Sequence, residues 1–251
     1  NASYVKNEIK NLGNQTGYID KESLPTLGTV SRNENGYPIG YFFGYKAIGV
    51  FQTQEEIDSY ISPATGKPIQ PNAAPGDTKF EDLNGDGVIS DDNEDRTMIG
   101  KPNPDWMVGL TVAADWNGFD LSAFFQGSFG ADVFDALRRY ELAAVNYTSD
   151  ALERWTGPGT SNSMPRIVLG DTPKNFRPST LLVHDASFLR LRNLQVGYTL
   201  PAQLTRKAYI QRLRFYASFD NLLTITGYKG MDPEIGSTMG IDKGVYPQAR
   251  V

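Results

Sequence analysis

Residues 105–130 read DWMVGLTVAADWNGFDLSAFFQGSFG, and this stretch decides the fold. In its first arm, every second residue from Trp106 to Ala114 is apolar, and most of the residues between them are small or polar. The second arm alternates in the same way from Phe119 to Gln126. Asn117-Gly118 separates the arms, and this pair is the favoured centre of a tight type I′ turn. The stretch therefore predicts a β-hairpin with one apolar face.

Two later segments repeat the alternation. Ser187–Pro201 pairs apolar positions with arginine, glutamine and glycine, and its phase slips near Asn193, which predicts a β-bulge there. Arg212–Leu223 alternates without a slip. Strands of about ten residues suit a tilted crossing of a bilayer, but a soluble β-sandwich shows the same alternation. The strands alone leave both fold classes open.

The connections between the strands favour the membrane alternative. Phe51–Lys101, Ala131–Ser187 and Thr224–Pro247 are long and mostly rich in Pro, Gly, Asp and Asn, whereas the other connections are short. Outer-membrane barrels alternate short and long connections in this way. We therefore predict an all-β fold, part of a large antiparallel transmembrane β-barrel with long extracellular loops. Within the second long connection, the apolar spacing of Ala131–Trp155 also predicts a helix.

Composition excludes several classes of protein. The chain has 251 residues with a formal net charge of −5, so it has no excess of cations for binding nucleic acid. It has no cysteine, which excludes disulfides and thiolate metal sites. Its one histidine, His184, is interpreted as a hydrogen-bonded residue at the start of a strand rather than a catalytic base. No apolar run reaches the roughly 18 residues of a membrane helix.

The segment FEDLNGDGVISDDNEDR, residues 80–96, begins like the calcium loop of an EF-hand. Asp82, Asn84 and Asp86 take the first three oxygen-ligand positions, and Val88 offers its carbonyl. The usual closing position holds Asn93, and the nearest acids are Asp92, Glu94 and Asp95. The alternative is a turn stabilised by Asx and Gly residues that binds no metal. Calcium is therefore one predicted cofactor, with a role in stiffening a loop.

DNLLTITGYKGMDPEIG at Asp220–Gly236 is the most specific of several motifs that follow one another along the chain. The others are PIGYFFGYKAIGVFQT, DLNGDGVI followed by DRTMIGKPNPDW, GFDLSAFFQGSFG, SFLRLRNLQVGYTLP and the closing YPQAR. In the same order, these motifs resemble those of the SusC/RagA family of TonB-dependent outer-membrane transporters, and the matches cover most of the chain. In that family Arg-Thr follows the acid that closes the loop at residues 80–96, so the resemblance implies Asp95 as the closing ligand. The resemblance implies that residues 1–251 form the carboxyl-terminal part of such a barrel, with the plug domain and the last strand absent.

The resemblance also implies a direction for each strand. Counting back from the last strand of the family gives inward strands at Asp105–Asp115 and Ser187–Pro201 and outward strands at Gly118–Gly130 and Arg212–Leu223. Extending the count predicts an outward strand at Tyr41–Phe51 and an inward strand at Ala2–Lys10. This extension leaves a rather long inner connection, Gly13–Tyr37.

The function that the resemblance implies is import without chemistry at the outer membrane of a Gram-negative, Bacteroidetes-like cell. The substrate would be an oligomeric glycan or peptide, and the energy would come from the TonB complex through the absent plug region. Further implied partners are a SusD-like surface lipoprotein and outer-membrane lipid. Aromatic faces suit sugar stacking, so the candidate substrate or partner residues are the loop aromatics Tyr140, Tyr147, Trp155, Phe176 and Tyr228.

Two alternatives belong to other classes of protein. One is a soluble β-sandwich carbohydrate-binding module with a structural calcium site. The other is a glycoside hydrolase that uses paired carboxylates, such as Asp91 with Asp92 or Asp132 with Asp135. Because no supporting motif surrounds these pairs, we interpret them as solvated charges and assign no catalytic residue.

Overall fold

The computed structural model describes residues 1–25, 27–91, 93–137, 146–235 and 239–244, and most of its regular structure is β-strand. The strands, in chain order, are β1 (Ala2–Tyr4), β2 (Tyr18–Leu24), β3 (Gly28–Glu34), β4 (Tyr41–Tyr45), β5 (Ala47–Val50), β6 (Thr78–Phe80), β7 (Arg96–Gly100), β8 (Trp106–Trp116), β9 (Phe119–Phe129), β10 (Asp132–Asp135), β11 (Val183–Asp185), β12 (Phe188–Thr199), β13 (Arg214–Thr226) and β14 (Ile241–Asp242). Two short α-helices are α1 (Gln54–Ser59) and α2 (Ala202–Thr205), and short 3-10 helices cover Ser149–Glu153, Leu169–Asp171, Thr180–Leu182 and Arg206–Ala208. No helix among the described residues is long and apolar enough to cross a membrane.

The longest strands form one antiparallel sheet in the order β1-β8-β9-β12-β13. The predicted hairpin is confirmed, since β8 pairs with β9 from Trp106↔Phe129 to Trp116↔Phe119. Asn117 and Gly118 both have positive φ, 49° and 87°, as a type I′ turn requires. The sheet is open, because β1 and β13 are its edges.

The predicted bulge is also confirmed. The pairing of β12 with both neighbours shifts between Leu191 and Asn193. On β13, Asn221 lies within the same irregularity and has a φ of 54°. The extra residue restores the phase, so that the apolar side chains of β12 stay on one face along its full length.

One face of this sheet is apolar from edge to edge. The cross-strand register aligns the following side chains on it: Tyr4, Trp106, Val108, Leu110, Val112, Ala114, Trp116, Phe119, Leu121, Ala123, Phe125, Leu189, Leu191, Leu194, Val196, Tyr198, Phe215, Ala217, Phe219, Leu223 and Ile225. Aromatic rings gather at both ends of the strands, with Tyr4 against Trp106 at one end (centroids 4.9 Å apart) and Phe119 against Tyr198 at the other (4.4 Å). The opposite face carries polar pairs such as Arg214 with Asp120.

This apolar face has no cover among the described residues. In a sandwich, a second sheet covers the apolar face of the first. Here Trp106, Leu110, Phe215 and Ile225 all remain exposed. The described residues therefore do not support the soluble β-sandwich hypothesis for this sheet.

All the long connections leave the sheet at one end. These connections are residues 5–105, 130–187 and 227–244. The strand residues that flank them are Tyr4, Trp106, Phe129, Phe188 and Thr226, and the strand register places all five at the same end of the sheet. The other end has the Asn117-Gly118 turn and the connection of residues 200–213, which contains α2. We call the described residues of the three long connections the loop lobe.

The loop lobe is folded and has smaller sheets of its own. These have the orders β2-β3-β4-β7, β11-β10-β14 and β5-β6. The sheet β11-β10-β14 joins different connections, because β10 pairs with β14 in parallel through Phe134↔Ile241. The main buried cluster of the loop lobe combines residues from all three connections. It consists of Val30, Phe42, Phe134, Leu182 and Ile241.

The predicted strand map is wrong in its first two strands. Tyr41–Phe51 does not join the large sheet: it forms β4, which is buried between β3 and β7, and β5. Since β1 then pairs antiparallel with β8, it runs opposite to β8, not parallel to it as the map for Ala2–Lys10 required. Residues 5–105 are therefore one long connection.

The helix predicted for Ala131–Trp155 is wrong in its first part. Asp132–Asp135 is strand β10, and Val133 and Phe134 are buried. Pairing on both sides with β11 and β14 overrides the helical spacing of the apolar residues. Residues 138–145 of the predicted helix lie outside the described residues.

Candidate functional site

The loop lobe is tied to the large sheet by two arginines of β12. Arg190 is 2% exposed and donates to Glu234 (Nη1–Oε2, 2.9 Å) and Asp232 (Nη2–Oδ1, 2.6 Å). Arg192 donates to both oxygens of Glu234 and to the side-chain oxygen of Gln126 on β9. The SFLRLRN and MDPE motifs are thus the two halves of one ion-pair network, which fixes residues 231–235 against the sheet.

A second set of contacts joins the two ends of the third connection, residues 227–244. Tyr228 packs with Ala131, Val133 and Ala186, and its hydroxyl donates to Asp242 Oδ2 at 2.6 Å. His184, on β11, lies 3.9 Å from Asp135 (Nε2 to Oδ2). This places His184 near a carboxylate inside the lobe, and its interpretation as a structural histidine stays a prediction.

A cavity of about 930 Å³ lies within the loop lobe. It is lined by residues of the turn 65–73 and of the segment 166–177, and by Val88 and Ile89. Asp77 and Arg166 join the two connections across it with two hydrogen bonds, Nε–Oδ1 at 2.6 Å and Nη2–Oδ2 at 3.1 Å. The size is in the range of ligand-binding pockets.

Arg177 lines this cavity and lies over two aromatic rings. Its guanidinium carbon is 4.8 Å from the centroid of Tyr45 and 4.9 Å from that of Phe80. Burial raises the pKa of the Tyr45 hydroxyl, and the positive charges of Arg177 and Arg96 oppose that rise. Burial lowers the pKa of the Arg96 guanidinium. The two cations are therefore held beside rings in a partly desolvated region.

The predicted calcium ligands form a compact hydrogen-bonded loop. Asp82 accepts from the amides of Gly85 and Gly87, both at 2.8 Å, and Asp86 accepts from the amide of Val88. These are Asx-type turns, which the alternative interpretation requires.

The proposed closing ligand, Asp95, lies deeper. It is 0% exposed, and its two oxygens accept from the amides of Leu83 (3.1 Å) and Ser90 (3.0 Å). Within the described residues, no group of three or more acidic or histidine side chains converges as a metal site. Asp95 thus stabilises the loop through these two hydrogen bonds, and calcium binding stays a prediction.

The candidate aromatic residues occupy different environments. Phe176 and Tyr228 are buried, so in this structure their rings stabilise the lobe and offer no open stacking face. Trp155 is half-buried over Gly76 and donates to Gln52 Oε1 at 3.2 Å. Tyr147 is exposed, and Tyr140 lies outside the described residues.

The carboxylate pairs do not form a hydrolase-like centre among the described residues. Asp132 and Asp135 are three residues apart on β10, so they face opposite sides of the strand. Burial raises the pKa of the Asp132 carboxyl, whose Oδ2 accepts from the amide of Lys101. Asp91 forms an ion pair with Lys174, and Asp92 lies outside the described residues.

Sequence reasoning missed the residues that shape the lobe most directly. Arg190 was read only as a polar position in an alternating strand, and Arg166 and Arg177 were not singled out. Their partners are far away in the chain: Asp232 is 42 positions from Arg190, and Asp77 is 89 positions from Arg166. The one available signal was the alternation of Arg190 and Arg192 on the polar side of a strand.

Comparison with known proteins agrees with this architecture. No family model matches the chain. The chain is 34% identical over 226 residues to TonB-dependent receptor P3 of Formosa agariphila, which covers 86% of this chain and 21% of that protein. It is 30% identical over 252 residues to TonB-dependent receptor SusC of Bacteroides thetaiotaomicron, with coverages of 99% and 23%. Among solved structures, it is similar to a chain of the RagAB peptide importer in its open-open state, with a TM-score of 0.69 and 25% identity over 99% of this chain and 25% of that chain.

The chain belongs to the SusC/RagA-type TonB-dependent receptors. The resemblance inferred from the ordered motifs is thereby confirmed. The chain spans about a quarter of the length of the curated relatives it matches. These relatives are named as receptors and the solved neighbours as transporters or importers, so the comparisons favour a non-enzymatic protein.

Proposed function

We propose that this receptor segment is part of the wall and outer loops of a transporter that imports an oligomeric nutrient, glycan or peptide, across the outer membrane with energy from TonB. The observation that carries the proposal is the large sheet with one exposed apolar face, rimmed by aromatic rings, and a folded lobe at one end only. A wall in contact with lipid requires such a face, and a soluble protein rarely exposes one.

The dimensions of the sheet support this proposal. Strand β8 has 11 residues from Trp106 to Trp116. Ten steps of about 3.4 Å, tilted by about 40°, span roughly 26 Å along the membrane normal. This matches the apolar band of about 25 Å in outer-membrane barrels. In the complete receptor, further strands would pair with the edges β1 and β13 and close the barrel.

The loop lobe would face the cell exterior and help to form the substrate cavity. A SusD-like surface lipoprotein is the proposed partner above it, in keeping with the relatives named SusC and RagAB. Transport then needs only a difference in affinity between an open and a closed state, without covalent chemistry. The predicted calcium ion would stiffen residues 80–96 within this lobe.

The orientation is tested by labelling single cysteines in the complete receptor on intact cells. This segment has no cysteine of its own. Leu152, in the lobe, is 80% exposed, and Tyr209, at the opposite end of the sheet, is 98% exposed. Leu152→Cys is expected to react with a membrane-impermeant maleimide on intact cells, and Tyr209→Cys only after the outer membrane is permeabilised. Equal labelling of both on intact cells would contradict the proposed orientation.

Import itself is tested by uptake of labelled oligomers. Cells that depend on this receptor are compared with the same cells lacking TonB, using a panel of glycans and peptides. Uptake of at least one oligomer is expected to fall to background without TonB, because release of a tightly held substrate requires that energy. Uptake that is independent of TonB would refute the proposal.

A further inference from the structure

The cavity of the loop lobe has the chemistry of a binding site for a particular class of ligand. Its walls are lined by proline and aliphatic side chains, including Pro68, Ile69, Val88, Val168 and Pro173. Four cationic side chains and one carboxylate also line it, although the whole chain carries a net charge of −5. A cationic cavity on an acidic chain concentrates anionic ligands at the site.

Two of the four cations already have carboxylate partners. Arg166 is neutralised by Asp77, which also accepts from Asn175 Nδ2 and the amide of Ala74. Lys174 forms its ion pair with Asp91. These two cations therefore build the walls of the cavity and are not available to a ligand.

The other two cations, Lys67 and Arg177, have no carboxylate partner in the described part of the chain. Arg177 is oriented by the rings of Tyr45 and Phe80 and by the bond from its Nε to the carbonyl of Lys174 at 3.2 Å. Arg177 lines the cavity, and these contacts hold its guanidinium in place. A fixed guanidinium without a carboxylate partner favours a ligand that brings a carboxylate.

The lining distinguishes between the two substrate classes left open above. None of the described residues that line the cavity is aromatic, so it offers no ring on which a sugar would stack. Proline and branched aliphatic walls instead suit the side chains of a peptide. We propose that this cavity binds acidic peptides, with a ligand carboxylate on Arg177 and a second anionic group near Lys67. This proposal rests on the import function proposed above and names its substrate.

The test is peptide binding to the complete receptor purified in detergent. The probe is a fluorescein-labelled hexapeptide with two glutamates between aliphatic residues, and the reference is the same peptide with glutamines. An oligogalacturonate of equal charge is the glycan arm. Fluorescence anisotropy is measured for the wild type, Arg177→Gln, Arg177→Lys and Lys67→Gln. Arg206→Gln and Lys207→Gln, exposed at the opposite end of the sheet, are the matched controls.

The acidic peptide is expected to bind at least tenfold more tightly than the glutamine peptide, and its affinity is expected to fall with salt. Arg177→Gln is expected to weaken the binding of the acidic peptide about tenfold, since one charge-assisted hydrogen bond is lost. Lys67→Gln is expected to weaken it about threefold. Arg177→Lys should restore part of the loss, and both controls should match the wild type. Because Lys67 is on the surface, its variant keeps the test valid if Arg177→Gln fails to fold.

Equal binding of the two peptides would overturn the inference. Tighter binding of the oligogalacturonate, with the same dependence on Arg177, would overturn the peptide class. Uptake that requires TonB but is unchanged in both Arg177→Gln and Lys67→Gln would overturn this inference and leave the proposed import intact. Uptake that does not require TonB would instead refute the proposed import.

Discussion

The ion pairs of Arg190 predict how firmly the third connection of the loop lobe is held. Arg190→Gln removes two charge-assisted hydrogen bonds, to Asp232 and Glu234, from a site where the arginine is 2% exposed. Each such bond contributes about 1.5–3 kcal/mol. Glu234 keeps its bond to Arg192, so only Asp232 loses its cationic partner. The expected cost is about 3 kcal/mol, at the lower end of the cost of breaking a buried ion pair.

This cost applies to local opening of residues 227–244 and not to unfolding of the sheet. A loss of about 3 kcal/mol raises the population of the opened segment roughly a hundredfold, at about 1.4 kcal/mol per factor of ten. Lys229 lies in this segment, and its side chain is exposed. When opening is fast relative to cleavage, the rate of trypsin cleavage after Lys229 follows that population.

The assay is limited proteolysis of the complete receptor, with the peptides released at Lys229 quantified by mass spectrometry. Arg190→Gln is expected to raise the cleavage rate about a hundredfold. Arg206→Gln removes an exposed arginine at the other end of the sheet and is expected to leave the rate within about twofold of the wild type. A wild-type rate in Arg190→Gln would show that the network does not hold the segment.

Two further predictions concern packing in the lobe and the apolar face of the sheet. Gly76 has a φ of +91°, and a Cβ there would lie 2.4 Å from the ring of Trp155, so Gly76→Ala is expected to destabilise the lobe by about 3 kcal/mol. Gly66→Ala, with nothing within 4 Å, should cost only about 1 kcal/mol, and pulse proteolysis compares the two. Leu110→Arg, at mid-height on the apolar face, is expected to cost about 2–4 kcal/mol in the membrane and to reduce the heat-modifiable, folded receptor on gels. Thr111→Arg faces the other side and should leave that amount unchanged; equal loss in both variants would contradict the assignment of the faces.

The sequence predicted the large sheet well because the signals for it are local. The Asn117-Gly118 turn, the alternation of both arms and the bulge near Asn193 each depend on residues close together in the chain. Side chains alternate across a strand with a period of two, so an apolar face of a sheet is visible in the sequence. The ordered motifs then identified the family.

Local signals failed where a strand is covered on both sides. Tyr41–Tyr45 is apolar at nearly every position because β3, β7 and the rest of the lobe bury it completely, and it was misread as a spanning strand. That error also reversed the predicted direction of β1. In β10, apolar residues at helical spacing were misread as a helix, since pairing with β11 and β14 was not visible in the sequence.

By itself, the sequence determined most strands of the large sheet, their turns, their apolar face and the family, because turn chemistry and alternation act between neighbouring residues. Only the tertiary structure decided which segments make the lobe, how Arg190 ties it to the sheet, and that Lys67 and Arg177 share a cavity. Those contacts join residues tens to over a hundred positions apart, and their partners are chosen by packing and charge in three dimensions.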